Sequence, residues 1–250
     1  MKFGFFTDKG LDKQDLLGHP WNKTQWHPDI NSHGYRCPEW HPMPDGKKNV
    51  VVLGCSHTFG QGLRPGDHWV SIISQHNTNR LRYWNLGVPG ASGECCVRRL
   101  WGSQKLINPE IVIVCWPEIS RRSWFGGSEP NAILGSDEKN RYQTNETDMK
   151  NFLHNVFWVQ KYGEVNNAKV YHCFATEYVQ HKDMDALNVL RDVSIKHCWP
   201  HWDKFPESDK FVKPQSQFSP SLALDNKHYG KEHHERFATL FLRSFGPKLK

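Results

Sequence analysis

The sequence predicts an α/β protein with a doubly wound, parallel sheet. Four largely apolar runs have the length and the β-branched or aromatic content of buried strands. They are NVVVL (49–53), RYWNL (82–86), IVIVCW (111–116) and KVYHCFA (169–175). Helical stretches separate them, near residues 68–76, 93–107 and 148–163. Strands that alternate with helices of this length form βαβ units, in which the strands run parallel.

The chain divides into an N-terminal arm and one domain. Residues 1–48 carry five prolines and three tryptophans without periodicity, so we predict an irregular arm packed on the domain. The domain spans 49–250 and contains two loop insertions, 117–147 and 197–224. At 250 residues the chain is long enough to bury a core without disulfide or metal staples.

The composition narrows the classes of partner. Lys and Arg total 32 against 26 Asp and Glu, and the formal charge of +6 favours anionic surfaces without identifying one. The lysines are scattered rather than arranged in a basic stripe between aromatic residues, so we predict no nucleic-acid partner. No run approaches the roughly 20 apolar residues of a membrane span, so we predict no membrane partner.

The cysteines and the first residues indicate a reducing compartment. The seven cysteines are odd in number and lack framework spacing, and Cys115 and Cys173 lie in apolar runs typical of buried thiols. The opening segment MKFGFFTDKG breaks its short apolar run at Thr7 and Asp8, unlike a secretory peptide. We therefore expect a cytoplasmic location.

The run VVLGCSHTFGQG, residues 51–62, places a serine at the end of the first predicted strand. A serine that is followed there by a turn into a helix presents its hydroxyl and its backbone N–H at the rim of the sheet. Ser56 is therefore a candidate nucleophile, and a helix N-cap is its alternative role. Ligands of such sheets bind beyond the carboxyl ends of the strands, so Ser56, residues 87–90 and the segment after Trp116 should share one rim.

Asp225 and His228 lie just ahead of an amphipathic C-terminal segment. Asp-x-x-His lets one short loop place a carboxylate against one imidazole nitrogen while the other nitrogen faces a serine. A serine hydroxyl needs such a base because it is almost wholly protonated at neutral pH. Taken alone, Asp225 would be interpreted as a turn residue and His228 as a surface histidine. Together with Ser56 they form a candidate catalytic triad.

Three blocks of the sequence resemble those of the SGNH, or GDSL-like, hydrolases. GCSHTFGQG is similar to the first block, NLGVPGASG (85–93) to the glycine block, and LDNKHYG (224–230) to the terminal Asp-x-x-His block. The resemblance spans residues 49–242, with the order and spacing of the family. NSHGYR (31–36) also resembles a segment that precedes the domain in some members.

The resemblance implies a flavodoxin-like three-layer α/β/α sandwich and ester hydrolysis through an acyl-enzyme, with no cofactor. By that resemblance Ser56 is the nucleophile, His228 the general base and then acid, and Asp225 the residue that orients His228. The backbone N–H groups of Ser56 and Gly90 are expected to form the oxyanion hole. A glycine suits that position because a backbone donor approaches a substrate most closely without a side chain.

Two departures from the family pattern concern the oxyanion hole. Cys55 replaces the aspartate of G-D-S, which leaves the nucleophile and its N–H in place. The third block lacks the family's asparagine donor, and proline follows Trp116 there. Loss of one oxyanion donor typically lowers turnover about 100-fold to 1000-fold. Arg121 or Arg122 is a candidate to compensate, with a solvated surface pair as the alternative, and Trp116 is a candidate substrate contact.

Other clusters have competing interpretations. The segment HCWPH offers His197, Cys198 and His201 as metal ligands, but a proline within it disrupts helical ligand spacing, and we predict no metal site. His233 and His234 are adjacent, so on a helix they point about 100° apart. Trp199 and Trp202 either stack on sugar rings at the rim or pack their loop onto the core.

These observations predict a serine esterase that removes a short-chain acyl group, which we expect to be acetyl, from a carbohydrate or small alcohol. An acyltransferase of the same fold, which passes the acyl group to an acceptor hydroxyl, is an alternative. A catalytically weak or inactive carbohydrate-binding or structural protein is another, because the third-block asparagine is missing. The oligomeric state is not predicted.

Overall fold

The computed structural model describes residues 31, 35–40, 45–124, 132–133, 145–174, 221–224 and 228–249. In chain order the elements are β1 (Lys48–Gly54), α1 (Ser56–Phe59), α2 (Trp69–Ser74), β2 (Leu81–Asn85), α3 (Gly93–Ile107), β3 (Ile111–Trp116), β4 (Ser123–Trp124), β5 (Ala132–Ile133), α4 (Asn145–Asn166), β6 (Lys169–Phe174) and α5 (Lys231–Phe245), with a 3₁₀ turn at Gly246–Lys248. The four long strands lie within one residue of the predicted bounds.

The four long strands form one parallel sheet in the order β2-β1-β3-β6. Val51 of β1 lies opposite Trp84 of β2 and Val112 of β3, so β1 is paired along both edges. This order is that of the first four strands of a flavodoxin-like sheet. The predicted parallel sheet is confirmed. Two further short strands, β4 and β5, pair antiparallel within the insertion after β3.

Two hydrophobic cores flank the sheet, which makes the domain three layers thick. Val51 and Leu53 of β1 pack with residues of α3 and α4, whereas Val50 and Val52 pack with residues of α2 and α5. All four side chains are fully buried. Strands covered on both faces show continuous apolar runs rather than alternation, which explains the sequence pattern. The predicted three-layer α/β/α sandwich is confirmed.

The C-terminal helix α5 returns to cover the face that carries α2. Its buried apolar residues are Phe237, Ala238, Phe241 and Phe245, which share one side of the helix at successive spacings of one, three and four residues. The ring of Trp69 contacts Phe237 at 5.0 Å and Phe241 at 5.7 Å between centroids. Burying one such aromatic side chain contributes about 2 kcal/mol, so this stripe fixes α5 against α2.

The cysteines of the described ranges are buried free thiols. They are Cys37, Cys55, Cys95, Cys96, Cys115 and Cys173. The buried positions predicted for Cys115 and Cys173 are confirmed, because they are 1% and 0% exposed. None of the helices described in the structure is long and apolar enough to cross a membrane.

Two histidines bind the N–H groups at the N-terminus of α2. His68 is the N-cap, and its Nδ1 accepts the Ser71 N–H at 3.2 Å. His234 of α5 accepts the Trp69 N–H on its own Nδ1 at 3.1 Å. Burial lowers the pKa of His68 well below its usual value and lowers the pKa of His234 to about 3. Both rings are therefore neutral at neutral pH, as an accepting Nδ1 requires.

We expect these caps to make the protein lose stability in mild acid. Each folded-state pKa lies below the unfolded value near 6.5, so the unfolded chain binds more protons as the pH falls below that value. The stability that the neutral rings provide is complete above about pH 6.5. It is lost as the pH falls toward the pKa of His234, about 3. The slope is at most about 1.4 kcal/mol per pH unit for each ring.

Urea unfolding at several pH values between about 7 and about 4.5 measures this loss. In His234→Asn an amide oxygen replaces Nδ1 as the acceptor and does not titrate, so the free energy of unfolding should depend less steeply on pH. The control is His76→Asn, because His76 is exposed and its variant should keep the wild-type slope. Equal slopes in wild type and His234→Asn would contradict the assignment.

Candidate active site

Ser56 lies where β1 passes into the short helix α1. β1 ends at Gly54, Cys55 is extended with φ −98° and ψ −154°, and Ser56 is the first residue of α1. A Cβ on Gly54 would lie 2.7 Å from the carbonyl oxygen of Cys115 and would overlap the side chain of Thr58. Only glycine therefore lets the strand end here with α1 folded back against β3. The buried hydroxyl of Ser56 is held on this turn.

The N-terminus of α1 leaves a backbone donor beside the Ser56 side chain. The N–H groups of Thr58 and Phe59 both donate to the carbonyl of Cys55, at 3.0 and 2.9 Å. The N–H of Ser56 has no acceptor within the helix, as expected for a first helical residue, and the Cys55 side chain does not cap it.

Gly90 lies in a turn of the glycine block. The Ala91 N–H donates to the Val88 carbonyl at 3.1 Å, and Gly90 has φ +71°. Pro89 followed by glycine at positive φ is the residue pattern of a type II turn. A side chain at this position would strain the backbone, so the sequence requires glycine for conformational reasons as well as for close approach.

Asn85, at the end of β2, joins the glycine block to the loop of the serine. Its Nδ2 donates to the Thr58 carbonyl at 2.9 Å, and its Oδ1 accepts the Gly87 N–H at 3.0 Å. Asn85 is 2% exposed. A buried amide that satisfies groups on two loops holds them in one relative position.

Arg36 of the NSHGYR segment binds the other end of the serine loop. Its guanidinium donates to the carbonyls of Phe59 at 3.2 Å, Gly60 at 2.5 Å and Leu63 at 2.6 Å. It also lies over the Phe59 ring, 5.5 Å from the centroid. The side chain is buried, so this positive charge is matched by the carbonyl dipoles at the end of α1. The arm thus contributes directly to the shape of the loop that carries Ser56.

His228 lies in a hairpin-like segment that is bonded to the same loop. Ala223 N–H donates to the His228 carbonyl at 2.8 Å, and Gly230 N–H donates to the Ser221 carbonyl at 2.7 Å. The Leu224 N–H reaches across to the Gly62 carbonyl at 3.0 Å. Asp225 lies outside the described residues, so its predicted role stays a prediction.

The ring of His57, the residue after Ser56, touches the histidine segment. Its centroid lies 5.6 Å from that of His228, at an interplanar angle of 64°, and 5.0 Å from that of Tyr229. Tyr229 in turn stacks on His233, with centroids 5.0 Å apart. The structure therefore brings the loop of Ser56 and the segment of His228 together at one rim of the sheet.

Arg121 and Arg122, in the loop after β3, differ in their partners. Burial raises the pKa of the Cys55 thiol, and the positive charge of Arg121 acts in the opposite direction. Its Nε is 3.7 Å from a carboxylate oxygen of Glu118. Arg122 instead binds Asp148 at 2.6 Å and the carbonyl of Thr147 at 2.8 Å, on α4.

Trp116 is buried at the end of β3. It is 1% exposed, its Nε1 donates to Nδ1 of His172 at 3.0 Å, and the two rings stack at 5.7 Å. This placement favours a packing role for Trp116. Trp199, Trp202 and the HCWPH segment lie outside the described residues. Within the described ranges, no group of three or more His, Cys, Asp or Glu side chains is arranged to hold a metal ion.

The solved structures that match this arrangement of strands and helices include an esterase and two proteins of the lipolytic G-D-S-L family. The psychrotrophic esterase EstA from a Pseudoalteromonas species, in a structure inhibited by monoethylphosphonate, matches with a TM-score of 0.53 and 15% identity over 81% of this chain and 99% of that chain. A protein described as lipolytic and of the G-D-S-L family, from Desulfitobacterium hafniense, matches with a TM-score of 0.52 and 13% identity, over 79% of this chain and 99% of that chain. A member of the lipolytic G-D-S-L family from Veillonella parvula matches with a TM-score of 0.50 and 13% identity, over 80% of this chain and 99% of that chain.

The chain has the SGNH-hydrolase fold. Sequence comparison adds nothing to this, since no family model and no curated protein matches the chain. At these identities the likeness establishes the fold alone. The matches cover 99% of each solved chain and 79–81% of this one, so the likeness extends beyond one supersecondary unit.

Sequence reasoning missed three residues that shape the site, namely Arg36, Asn85 and His57. Arg36 and Asn85 stand in segments that the sequence singled out, yet nothing in a linear pattern shows which carbonyls a buried guanidinium or amide will bind. His57 directly follows the candidate nucleophile. The presence of a histidine next to the candidate nucleophile was the sequence signal that could have identified His57 as part of the site.

We expect Arg36→Met to destabilise the protein by about 3 kcal/mol, because it removes a buried charged donor from three carbonyls. Arg36→Lys keeps the charge but not the fork of donors, and it should restore part of that loss. The free energy of unfolding in urea measures both effects. Arg80→Met serves as the control because Arg80 is exposed. If Arg36→Met were no more destabilising than the control, the guanidinium would not be holding the loop.

Proposed function

We propose that this protein is a serine ester hydrolase of the SGNH type, with Ser56 as nucleophile and His228 as general base. The contact between His57 and His228 is the observation that carries the proposal, because it joins the serine loop to the histidine segment at the sheet rim. The shared fold with an esterase and two G-D-S-L family proteins supports the same chemistry.

The reaction divides into two acyl-transfer steps. The Ser56 oxygen attacks the ester carbonyl as its proton passes to an imidazole nitrogen of His228, and the tetrahedral intermediate then expels the alcohol, which takes that proton. Water attacks the acyl-enzyme with His228 again as base, releasing the acid and restoring the serine. Asp225, three residues before His228, would orient the imidazole and stabilise its protonated form.

The developing oxyanion would be bound by the N–H groups of Ser56 and Gly90. The position of the Ser56 N–H in the first turn of α1 and the left-handed turn at Gly90 support this assignment. β3 ends without the asparagine of the family's third block. We assign the compensating positive charge to Arg121, whose charge opposes the effect of burial on the pKa of the Cys55 thiol and whose ion pair with Glu118 is long, at 3.7 Å, whereas Arg122 is bound by Asp148 at 2.6 Å.

The substrate we propose is a short-chain, acetyl-type ester of a carbohydrate or small alcohol. The support is the resemblance of the three sequence blocks and the relation of the fold to EstA, which is an esterase inhibited by a small phosphonate. A phosphonate probe therefore tests Ser56 as the nucleophile here. Transfer of the acyl group to a sugar hydroxyl instead of water would use the same intermediate, and an added sugar acceptor distinguishes the two reactions by product.

A catalytically weak or inactive binding protein is the second candidate function. One observation favours it: β3 is followed by Pro117, which has no backbone donor, and no asparagine occupies the adjacent positions. Such a protein would keep the fold and bind a carbohydrate or another ligand without turnover. It would not react covalently with a serine-directed phosphonate.

We expect Ser56→Ala and His228→Ala each to lower hydrolysis of a chromogenic acetyl ester by at least about 1000-fold, because each removes a member of the nucleophile and base pair. A fluorophosphonate should label the wild type, fail to label Ser56→Ala and label His228→Ala far more slowly. The measurements are steady-state turnover and labelling followed by mass spectrometry.

Matched controls for these variants are Ser74→Ala on α2 and the exposed His76→Ala, both of which should keep wild-type turnover. An unlabelled, inactive wild type would reject the esterase and favour the binding protein. Labelling at a serine other than Ser56 would reject the assigned nucleophile.

We expect Arg121→Ala to lower kcat about 10-fold to 100-fold with little change in KM, because its charge would stabilise the oxyanion that forms only after attack. Arg80→Ala is the control for removing an exposed positive charge. Steady-state kinetics on the acetyl ester give the two parameters. Unchanged kcat in Arg121→Ala, or a loss confined to Arg122→Ala, would contradict the assignment.

A further inference from the structure

We propose that the protein binds a small, uncharged molecule with several hydroxyl groups, such as one sugar ring, in a cleft between the N-terminal arm and α2. The cleft has a volume of about 580 Å³ and is partly open to solvent. That volume lies within the range of small-molecule sites in proteins. Ser56, Gly90 and His228 are not among the described residues that line it, so the cleft is a second site whether or not the protein is an esterase.

Three parts of the chain line the cleft, and several of their polar side chains are buried. The parts are the arm, the segment that leads into and along α2, and β2 with its C-terminal end. The lining polar residues that are at most 7% exposed are Asn31, Arg36, His68, Tyr83 and Asn85. A concave site on which a few buried polar groups converge is typical of ligand recognition.

The wall that the arm contributes is held in place by hydrogen bonds. Asn31 accepts the Tyr35 N–H on its Oδ1 at 3.0 Å, and its Nδ2 donates to the Pro38 carbonyl at 3.1 Å. The guanidinium of Arg36 attaches the same turn to three carbonyls of the serine loop. A wall fixed in this way is formed before a ligand arrives, which lowers the entropic cost of binding.

Tyr83 of β2 brings a buried hydroxyl to the cleft. The side chain is 7% exposed, and its hydroxyl has no hydrogen-bond partner among the described residues. Burial raises the pKa of Tyr83 to about 12, so the group is a neutral donor and acceptor. A buried hydroxyl that lacks a partner is destabilising, and a hydroxyl group of a ligand would satisfy it.

His68 and Ser71, at the start of α2, add further hydrogen-bonding groups. His68 Nδ1 accepts the Ser71 N–H at 3.2 Å, and burial keeps the ring neutral by lowering its pKa. A neutral imidazole that accepts on Nδ1 carries its proton on Nε2, so His68 has one N–H left to donate. The Ser71 side chain, which is only partly buried, can donate or accept.

The charges around the cleft favour an uncharged ligand. The guanidinium of Arg36 is already bound to carbonyl groups, and the His68 ring is neutral. Burial raises the pKa of the Cys37 thiol to about 12, so this lining residue is neutral too. Glu39 is the one acidic residue among the described lining residues, and it would repel an anion. Hydroxyl groups, which donate and accept, match this set of partners best.

The cleft and the serine loop share three residues. Arg36 binds the far end of the loop, and Asn85 binds the Thr58 carbonyl at 2.9 Å. His68 packs so closely on Gly60 that a Cβ on that glycine would lie 2.4 Å from the His68 Cβ. A ligand in the cleft would therefore contact the side chains that hold the loop of Ser56, although it would not touch Ser56 itself.

The test is a titration of the full chain with D-glucose, D-xylose and sorbitol, followed by the backbone amide signals in NMR spectra. These probes carry no acyl group, so the result does not depend on esterase activity. We expect saturable shifts at Ser71, Tyr83 and Asn85 with at least one probe. No saturable shift with any of the three would overturn the proposal. Shifts confined to Ser56, Gly90 and Tyr229 would also overturn it, because the probe would then occupy the candidate active site.

Two variants and one charged probe test the details. Tyr83→Phe should weaken binding about two-fold to ten-fold, because it removes one hydrogen bond. Tyr162→Phe is the matched control, since Tyr162 is also buried with no described partner for its hydroxyl but lies in the core on the opposite face of the sheet. Ser71→Phe should fill the cleft and abolish binding while the circular dichroism spectrum stays that of wild type.

Three results would contradict the assignment. They are an equal loss in Tyr83→Phe and Tyr162→Phe, undiminished binding in a folded Ser71→Phe, and tighter binding of glucose 6-phosphate than of glucose. The last would show that the site selects an anion. Because Ser71 is only partly buried, its variant keeps the test decisive even if Tyr83→Phe fails to fold.

Discussion

The pairing of β1 on both edges is the constraint on which the candidate site depends. β1 lies between β2 and β3, its side chains are buried in both cores, and its last residue meets the carbonyl of Cys115. The chain must leave the sheet at that point and turn at once into α1. The place of Ser56 is therefore a consequence of sheet packing, and the polar contacts around it refine a position that the strand already determines.

Three polar attachments complete the loop that carries Ser56, and each comes from a different part of the chain. Arg36 binds its far end from the arm, Asn85 ties its middle to β2, and the Leu224 N–H joins it to the segment of His228. Each attachment ends on a backbone carbonyl. Side chains on the loop can therefore vary, as Cys55 does relative to the family pattern, without loss of the hydrogen bonds that hold the loop of the serine.

The sheet and its covering helices could be predicted because burial on both faces leaves a long apolar run, and such runs are visible without structural knowledge. Ser56 and His228 could be proposed because the three blocks keep the family's order. The short elements α1, β4 and β5 carry too few residues for any periodicity to be detected. The bonds of Arg36 and the ring contact of His57 depend on which loops meet in space, and no local pattern encodes that.

The hydrogen bond from Leu224 to Gly62, together with the packing of α5 on α2, has a consequence for folding. The two halves of the site are separated by most of the domain, so they meet through contacts of very high sequence separation, which form slowly. A chain still being synthesised can complete β1 and α1 long before α5 emerges. If the protein has the proposed function, the serine would have no base during that interval, so a nascent chain would be inert toward esters. The protein would then become catalytically competent only after α5 has packed against α2.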